Sequence, residues 1–137
     1  MTFFADGSPY SYLAEQAGST TQNIGWLDEA EPFERGSVDD AFIAKLRKLC
    51  RVRVNRTRGF HVCNLCGRPS NSGPPLPTTV AHPDGPFVVG SAEIRVYAPS
   101  GAIYAAPDMI IHYVEKHGYR PPDHFVQAVM RPGHIPR

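Results

Sequence analysis

Two cysteines spaced C-x-x-C, Cys63 and Cys66, lie in the run Gly59-Phe60-His61-Val62-Cys63-Asn64-Leu65-Cys66-Gly67. This spacing lets both sulfurs turn toward one ion, and zinc is the ion that such knuckles most often hold. Two thiolates need two more ligands to close a tetrahedral site. His61, His112, His117, His82 and the third cysteine, Cys50, compete for those places.

His61 stands two residues ahead of Cys63, and on an extended segment positions i and i+2 share a side. His112 lies within Met109-Ile110-Ile111-His112-Tyr113-Val114, the most apolar helical stretch. A histidine there is ordinarily a core residue bonded to a carbonyl, but the knuckle's need for nitrogen donors favours a ligand. His117 completes an H-x4-H spacing with His112. Five residues of regular α-helix, however, turn the second ring about 140° away from the first. Both rings can reach one ion only if the helix loosens near Gly118, and otherwise His117 interacts with the helix C-terminus. The expected zinc ligands are therefore Cys63, Cys66, His112 and His61, with His117 as first reserve. Cys50 reads as a small buried thiol, and His82 as a solvent-exposed loop residue.

Other chemistry has less to stand on. The chain lacks H-E-x-x-H, a phosphate-binding G-x-x-x-x-G-K-[ST] and the H-x-E of zinc deaminases. A redox C-x-x-C usually sits between a strand and a helix, whereas this one follows an extended arm and precedes prolines. Glu93 and Arg95 are the only close acid–base pair that could form a site. If their face met the metal, Glu93 could serve as general base on a zinc-bound water, giving a hydrolase-like zinc enzyme. A cross-strand surface pairing is the plainer account. Seven of the fourteen basic residues fall between Lys45 and Arg58, immediately after six of the thirteen acids between Asp28 and Asp40. The basic stretch 45–58 could meet nucleic-acid phosphates. It is half helix and half strand, however, so its charges splay, and the acidic block can neutralise part of them.

The elements that must position these groups follow from patterning. Residues 1 to 36 carry scattered aromatics without a sustained period, which predicts an irregular segment with a short strand near Tyr10 to Leu13 and Trp26 as a core plug. Ser37-Val38-Asp39-Asp40 resembles a capping box and opens a helix whose buried stripe is Phe42, Leu46, Leu49 and Cys50. Arg51-Val52-Arg53-Val54 alternates as a half-buried strand does. Six prolines between Arg68 and Pro86 predict a loop over 67–86. Phe87-Val88-Val89 is a short strand, and Ala92–Ala98 with Ala102–Ala105 makes a β-hairpin across Pro99-Ser100-Gly101. Ala106-Pro107-Asp108 starts a buried helix that Gly118 stops. Pro121-Pro122 starts a third helix facing inward through Phe125, Val126 and Val129, and the tail 131–137 is expected to fray.

With 137 residues the chain has the size of one domain, taken as 1–137. Its 14 prolines and 12 glycines favour loops and short elements over a helical bundle. A net charge of +1 argues against a protein that works by overall charge. No leader-like start is visible, and the apolar runs are far too short to span a membrane. The expected location is cytoplasmic, where three cysteines favour metal binding over disulfides.

The chain resembles an uncharacterised family of small bacterial proteins, actinobacterial ones included. The resemblance rests on Asn55-x-x-Arg58-Gly59-Phe60-His61-x-Cys63-x-x-Cys66, Glu93-Ile94-Arg95-Val96, Tyr104-Ala105-Ala106-Pro107, His112-Tyr113-Val114-x-x-His117-Gly118-Tyr119-x-Pro121-Pro122 and Phe125. It spans most of residues 20 to 129, and implies a bacterial origin and a metal site without attaching an activity. The expectation is an α+β domain with a small antiparallel sheet, two or three helices and one Zn2+. The zinc is mainly structural, in a binding or accessory protein whose protein or small-molecule partner the sequence leaves open.

Overall fold

A computed structural model describes residues 3–9, 21–52, 60–66 and 76–133. The chain is α+β. Strand β1 (Thr21–Asn23) is followed by helix α1 (Asp40–Arg51), a 3-10 turn at Asn64–Cys66, and strands β2 (Thr78–Val80) and β3 (Phe87–Val89). Strands β4 (Glu93–Tyr97) and β5 (Ile103–Pro107) and helices α2 (Ile110–His117) and α3 (Asp123–Met130) complete the order.

The hairpin legible in the sequence is the centre of a three-stranded sheet of order β1-β5-β4. β4 and β5 pair antiparallel, with Val96 opposite Tyr104. β1, which has no periodicity to announce it, joins β5 in parallel, Gln22 opposite Tyr104. β2 and β3 form a separate antiparallel pair. β2 thus places a strand inside the stretch expected to be loop, while residues 67–75 lie outside the described structure. The expected strand near Tyr10 to Leu13 lies outside it too, as do Arg53 and Val54.

Helix α1 begins at Asp40, with Asp39 as N-cap and no side-chain capping bond, so the Ser37 capping box does not form. It buries Phe42, Leu46 and Cys50 on one stripe, with Leu49 half-buried beside them. Arg51 is its last residue rather than the start of a strand, and Val52 beyond it is 73% exposed. α1 packs on α2 and α3, and both α1 and α3 meet β4. Edge-to-face pairs Phe42–Phe125 and Tyr104–Phe125, at 6.5 and 5.8 Å, tie these layers together. The inner face of α3 is Phe125, Ala128 and Val129, with Val126 only half-buried.

β5 runs through Pro107, so the proline ends a strand rather than opening α2, and Met109 precedes the helix. Trp26 is buried as expected, donating its indole N–H to the Ala105 carbonyl at 3.0 Å and meeting Phe4 edge-on. Asp6 fastens the N-terminal segment to the α2–α3 connection. One carboxylate oxygen accepts the Gly25 N–H at 2.8 Å, and the other accepts the hydroxyl of the fully buried Tyr119 at 2.7 Å.

Burial, together with the Asp6 carboxylate, holds the Tyr119 phenol far above its ordinary range. The unfolded chain sheds this proton near pH 10 while the folded chain keeps it. The unfolded state then binds fewer protons, so stability falls as pH climbs past about 10. Tyr119→Phe should lower the denaturant midpoint at neutral pH by the equivalent of about 1–3 kcal/mol and flatten the alkaline fall. A pair of midpoints at pH 7 and pH 10.5 for each protein checks both.

Candidate metal centre

The knuckle is a single tight turn. Within it the Cys66 N–H reaches the Cys63 carbonyl at 3.3 Å, and the Cys63 sulfur accepts the backbone N–H groups of Leu65 and Cys66. Hydrogen bonds of this kind favour a thiolate. The arm leading into the turn is pinned by its backbone. The His61 N–H donates to the Gly90 carbonyl at 2.7 Å, and the Gly90 N–H donates to Asp108 Oδ1 at 2.7 Å. Asp108 is fully buried and also donates its own N–H to Ala92. It therefore orders the turn that receives the arm, not the helix terminus expected from its place before α2. Gly90 has φ 111°, and a Cβ there would run into the His61 carbonyl oxygen.

Opposite the knuckle, α2 presents His112 and His117, with ring centroids 5.0 Å apart. They meet because the last turn of α2 is wide. The Gly118 and Tyr119 N–H groups both donate to the Tyr113 carbonyl, five and six residues back, where a regular α-helix steps back four. A wider turn advances fewer degrees per residue, as in a π-bulge, and carries His117 round toward His112. Gly118 ends the helix in the left-handed region at φ 68°. Residues 34–36 brace this end. The Arg120 N–H reaches Glu34, the Gly36 N–H reaches Gly118, and the Arg35 guanidinium donates to the His117 carbonyl at 3.2 Å.

Cys63, Cys66, His112 and His117 thus converge, each pair of ligand atoms within 4.8 Å. The measured separations are 3.4 Å for Cys63 Sγ to His117 Nε2, 3.2 Å for Cys66 Sγ to His112 Nε2 and 3.4 Å for Cys66 Sγ to His117 Nε2. The two Nε2 atoms are 3.3 Å apart. Zinc bonds of about 2.3 Å to sulfur and about 2.0–2.1 Å to nitrogen set tetrahedral edges at about 3.6 Å for S···N and about 3.3 Å for N···N. The observed spacings are close to those edges. His117 Nε2 faces three heteroatoms at once, and the one proton an imidazole nitrogen can carry does not serve all three. A cation at the centre does.

The protonation balance points the same way. Burial pushes the Cys63 thiol up to about 11, with the Leu65 N–H pulling down and the Cys66 side chain adding to the rise. Without a positive charge the Cys63 sulfur stays protonated, whereas a coordinated thiol is deprotonated outright. Burial lowers His112, with His117 adding to the effect, and burial and Arg35 lower His117. Both rings are thereby kept neutral, the form that ligates metals. Cys63 and His112 are buried, His117 is half-buried and Cys66 is exposed.

The remaining candidates fall elsewhere. His61 is exposed and not one of the four, because the arm binds through its backbone at that residue while the chain turns inward only at Cys63. Cys50 lies fully buried in the apolar core. His82 is half-buried, accepting the Asp84 N–H in the β2–β3 turn and meeting Phe87 edge-on. Glu93 is also outside the group of four. It is 4% exposed and accepts from the Arg95 guanidinium at 3.1 Å on its own strand, in place of a cross-strand surface pair. Of the basic stretch, Arg47 pairs with Glu115, Arg51 with Asp84, and Lys45 donates to the Met130 carbonyl. The Arg47 and Arg51 charges are thus spent on different acidic neighbours, and residues 53–59 lie outside the described structure. Among the described residues no helix is long and apolar enough to cross a membrane.

The chain belongs to the family described as a domain of unknown function (DUF7919), whose model matches residues 2–130. Comparison with curated proteins and with solved structures finds no match.

Gly90→Ala should displace the arm at His61 and force a side chain into the left-handed region. The expected loss of stability is about 1–3 kcal/mol, read from the denaturant midpoint. Gly118→Ala, where nothing lies within 4 Å of the added carbon, should cost only about 1 kcal/mol.

Proposed function

We propose that Cys63, Cys66, His112 and His117 hold one zinc ion whose role is mainly structural, in a domain that serves as a binding or accessory protein. The observation that carries this reading is the convergence of four protein donors, with four of their spacings, 3.2–3.4 Å, near tetrahedral edges. Four protein ligands make a closed site, whereas a catalytic zinc keeps a position for water. The ligands come from two parts of the chain, 46 to 54 residues apart in sequence. An ion between them ties the 60–66 arm to α2. Such a tie suits a chain of short strands and many prolines, because binding free energy at a structural metal is folding free energy. Glu93, held by Arg95, has no part in the donor set, which weighs against a hydrolytic reading built on it.

Purified full-length protein should contain one equivalent of zinc by elemental analysis. Cys63→Ser and His117→Ala should lose it and unfold at a markedly lower temperature, while His61→Ala should keep both zinc and stability. Chelation of the wild-type protein should lower its melting temperature in the same way. A stable, fully folded protein after zinc removal would overturn the structural role, and zinc retention by His117→Ala would overturn the ligand set.

A further inference from the structure

Flanking the Phe42–Leu46–Cys50 stripe, α1 has a second patterned face. Lys45, Lys48, Leu49 and Val52 recur at i, i+3, i+4 and i+7, so they lie along one side of the helix. That side forms a wall of a cleft of about 500 Å3 between α1, β4, the end of α3 and Pro132–Gly133. The volume falls within the range of about 300–1,000 Å3 typical of small-molecule sites. Leu49, Val96 and Val129 make its lining apolar, and Lys45 and Lys48 supply its charge, the Arg95 guanidinium being paired with Glu93. No acidic residue is among the described residues that line it.

Two of these cations are held in place. The Lys45 ammonium donates to the Met130 carbonyl at 3.0 Å, and Arg95 is braced by Glu93 at 3.1 Å. Lys48 is exposed, and Val52, 73% exposed, leaves a branched apolar side chain in water at the end of the wall. Charge of one sign beside an apolar floor selects a ligand with an apolar body and an anionic head. A neutral hydrocarbon leaves the ammonium groups without a counter-charge, a cationic amphiphile is repelled, and a nucleic-acid strand gains nothing from the aliphatic floor.

We propose that this cleft, formed by the Lys45–Val52 face of α1 against β4 and the end of α3, binds a free medium-chain alkyl carboxylate. The alkyl chain lies on Leu49, Val96 and Val129, and the carboxylate meets Lys48 and Lys45. The site is separate from the metal centre and does not rest on the zinc assignment.

Titration calorimetry of the full-length protein with decanoate, kept below its micellar concentration, tests this. Saturable one-to-one binding is expected, weakened about tenfold or more by Lys45→Gln with Lys48→Gln, as loss of charge-assisted hydrogen bonds requires. Val52→Glu should weaken it similarly by placing a carboxylate beside the anionic head. All three positions are exposed, and circular dichroism verifies that the variants fold. Decanol should bind at least tenfold more weakly and decyltrimethylammonium not at all. Absence of saturable decanoate binding, equal affinity for the three amphiphiles, or equal affinity in the variants overturns the proposal. Association with anionic vesicles or an acidic peptide in place of free decanoate also overturns it.

Discussion

Two sulfurs and two imidazole nitrogens crowd into a space where a single imidazole proton cannot serve every contact. This constraint shapes the surrounding structure. A His117 nitrogen facing three heteroatoms at 3.3–3.4 Å is badly placed without a positive charge in their midst and well placed with one. The two halves of the cluster are built independently. The knuckle is a local turn on an arm held by Gly90 and Asp108, and the histidines belong to a helix end braced by Arg35 and its neighbours. Both halves hold their form through backbone hydrogen bonds, each reinforced by one side chain, Asp108 on the arm and Arg35 at the helix end.

The wide turn at the end of α2 is what makes the histidine pair possible. A regular helix that ended one residue later would carry His117 away from His112 and leave the sulfurs facing one nitrogen. The left-handed Gly118 and the shared Tyr113 carbonyl let the helix stop at the width the pair requires. Segment 33–36, which pairs with 118–120 beside that stop, then holds the widened end against the rest of the domain. Arg35 takes part twice, through the His117 carbonyl and through its stacking on Phe33 at 4.5 Å.

Much of this architecture could be read from residue order because it is local. The C-x-x-C knuckle, the β4–β5 hairpin with its Pro-Ser-Gly turn, the buried stripe of α1 and the glycine stop of α2 each depend on neighbours within a few positions. Periodicity and turn chemistry report such neighbours directly. Elements that failed to appear in the pattern depend on distant partners. β1 is three residues long and exists because β5 offers an edge. Asp108 reads as a helix-end charge by its position in sequence, yet Gly90, eighteen residues earlier, claims its carboxylate. The Ser37 capping box does not form, and Asp39 precedes the helix without a side-chain capping bond.

Sequence by itself singled out the Cys63–Cys66 pair as a candidate metal knuckle and His112, on the most apolar helix, as a candidate nitrogen donor for it. It also identified the condition under which a second histidine could join, a loosened helix near Gly118. Only tertiary structure decided that the condition holds and that His117 stands with the sulfurs while His61 does not. The reason is geometric. Side-chain direction at i and i+2 follows from an ideal strand and at i and i+5 from an ideal helix, but neither segment is ideal. One is pinned by its backbone to Gly90, the other is widened against Tyr113, and both departures come from contacts with residues far away in the chain.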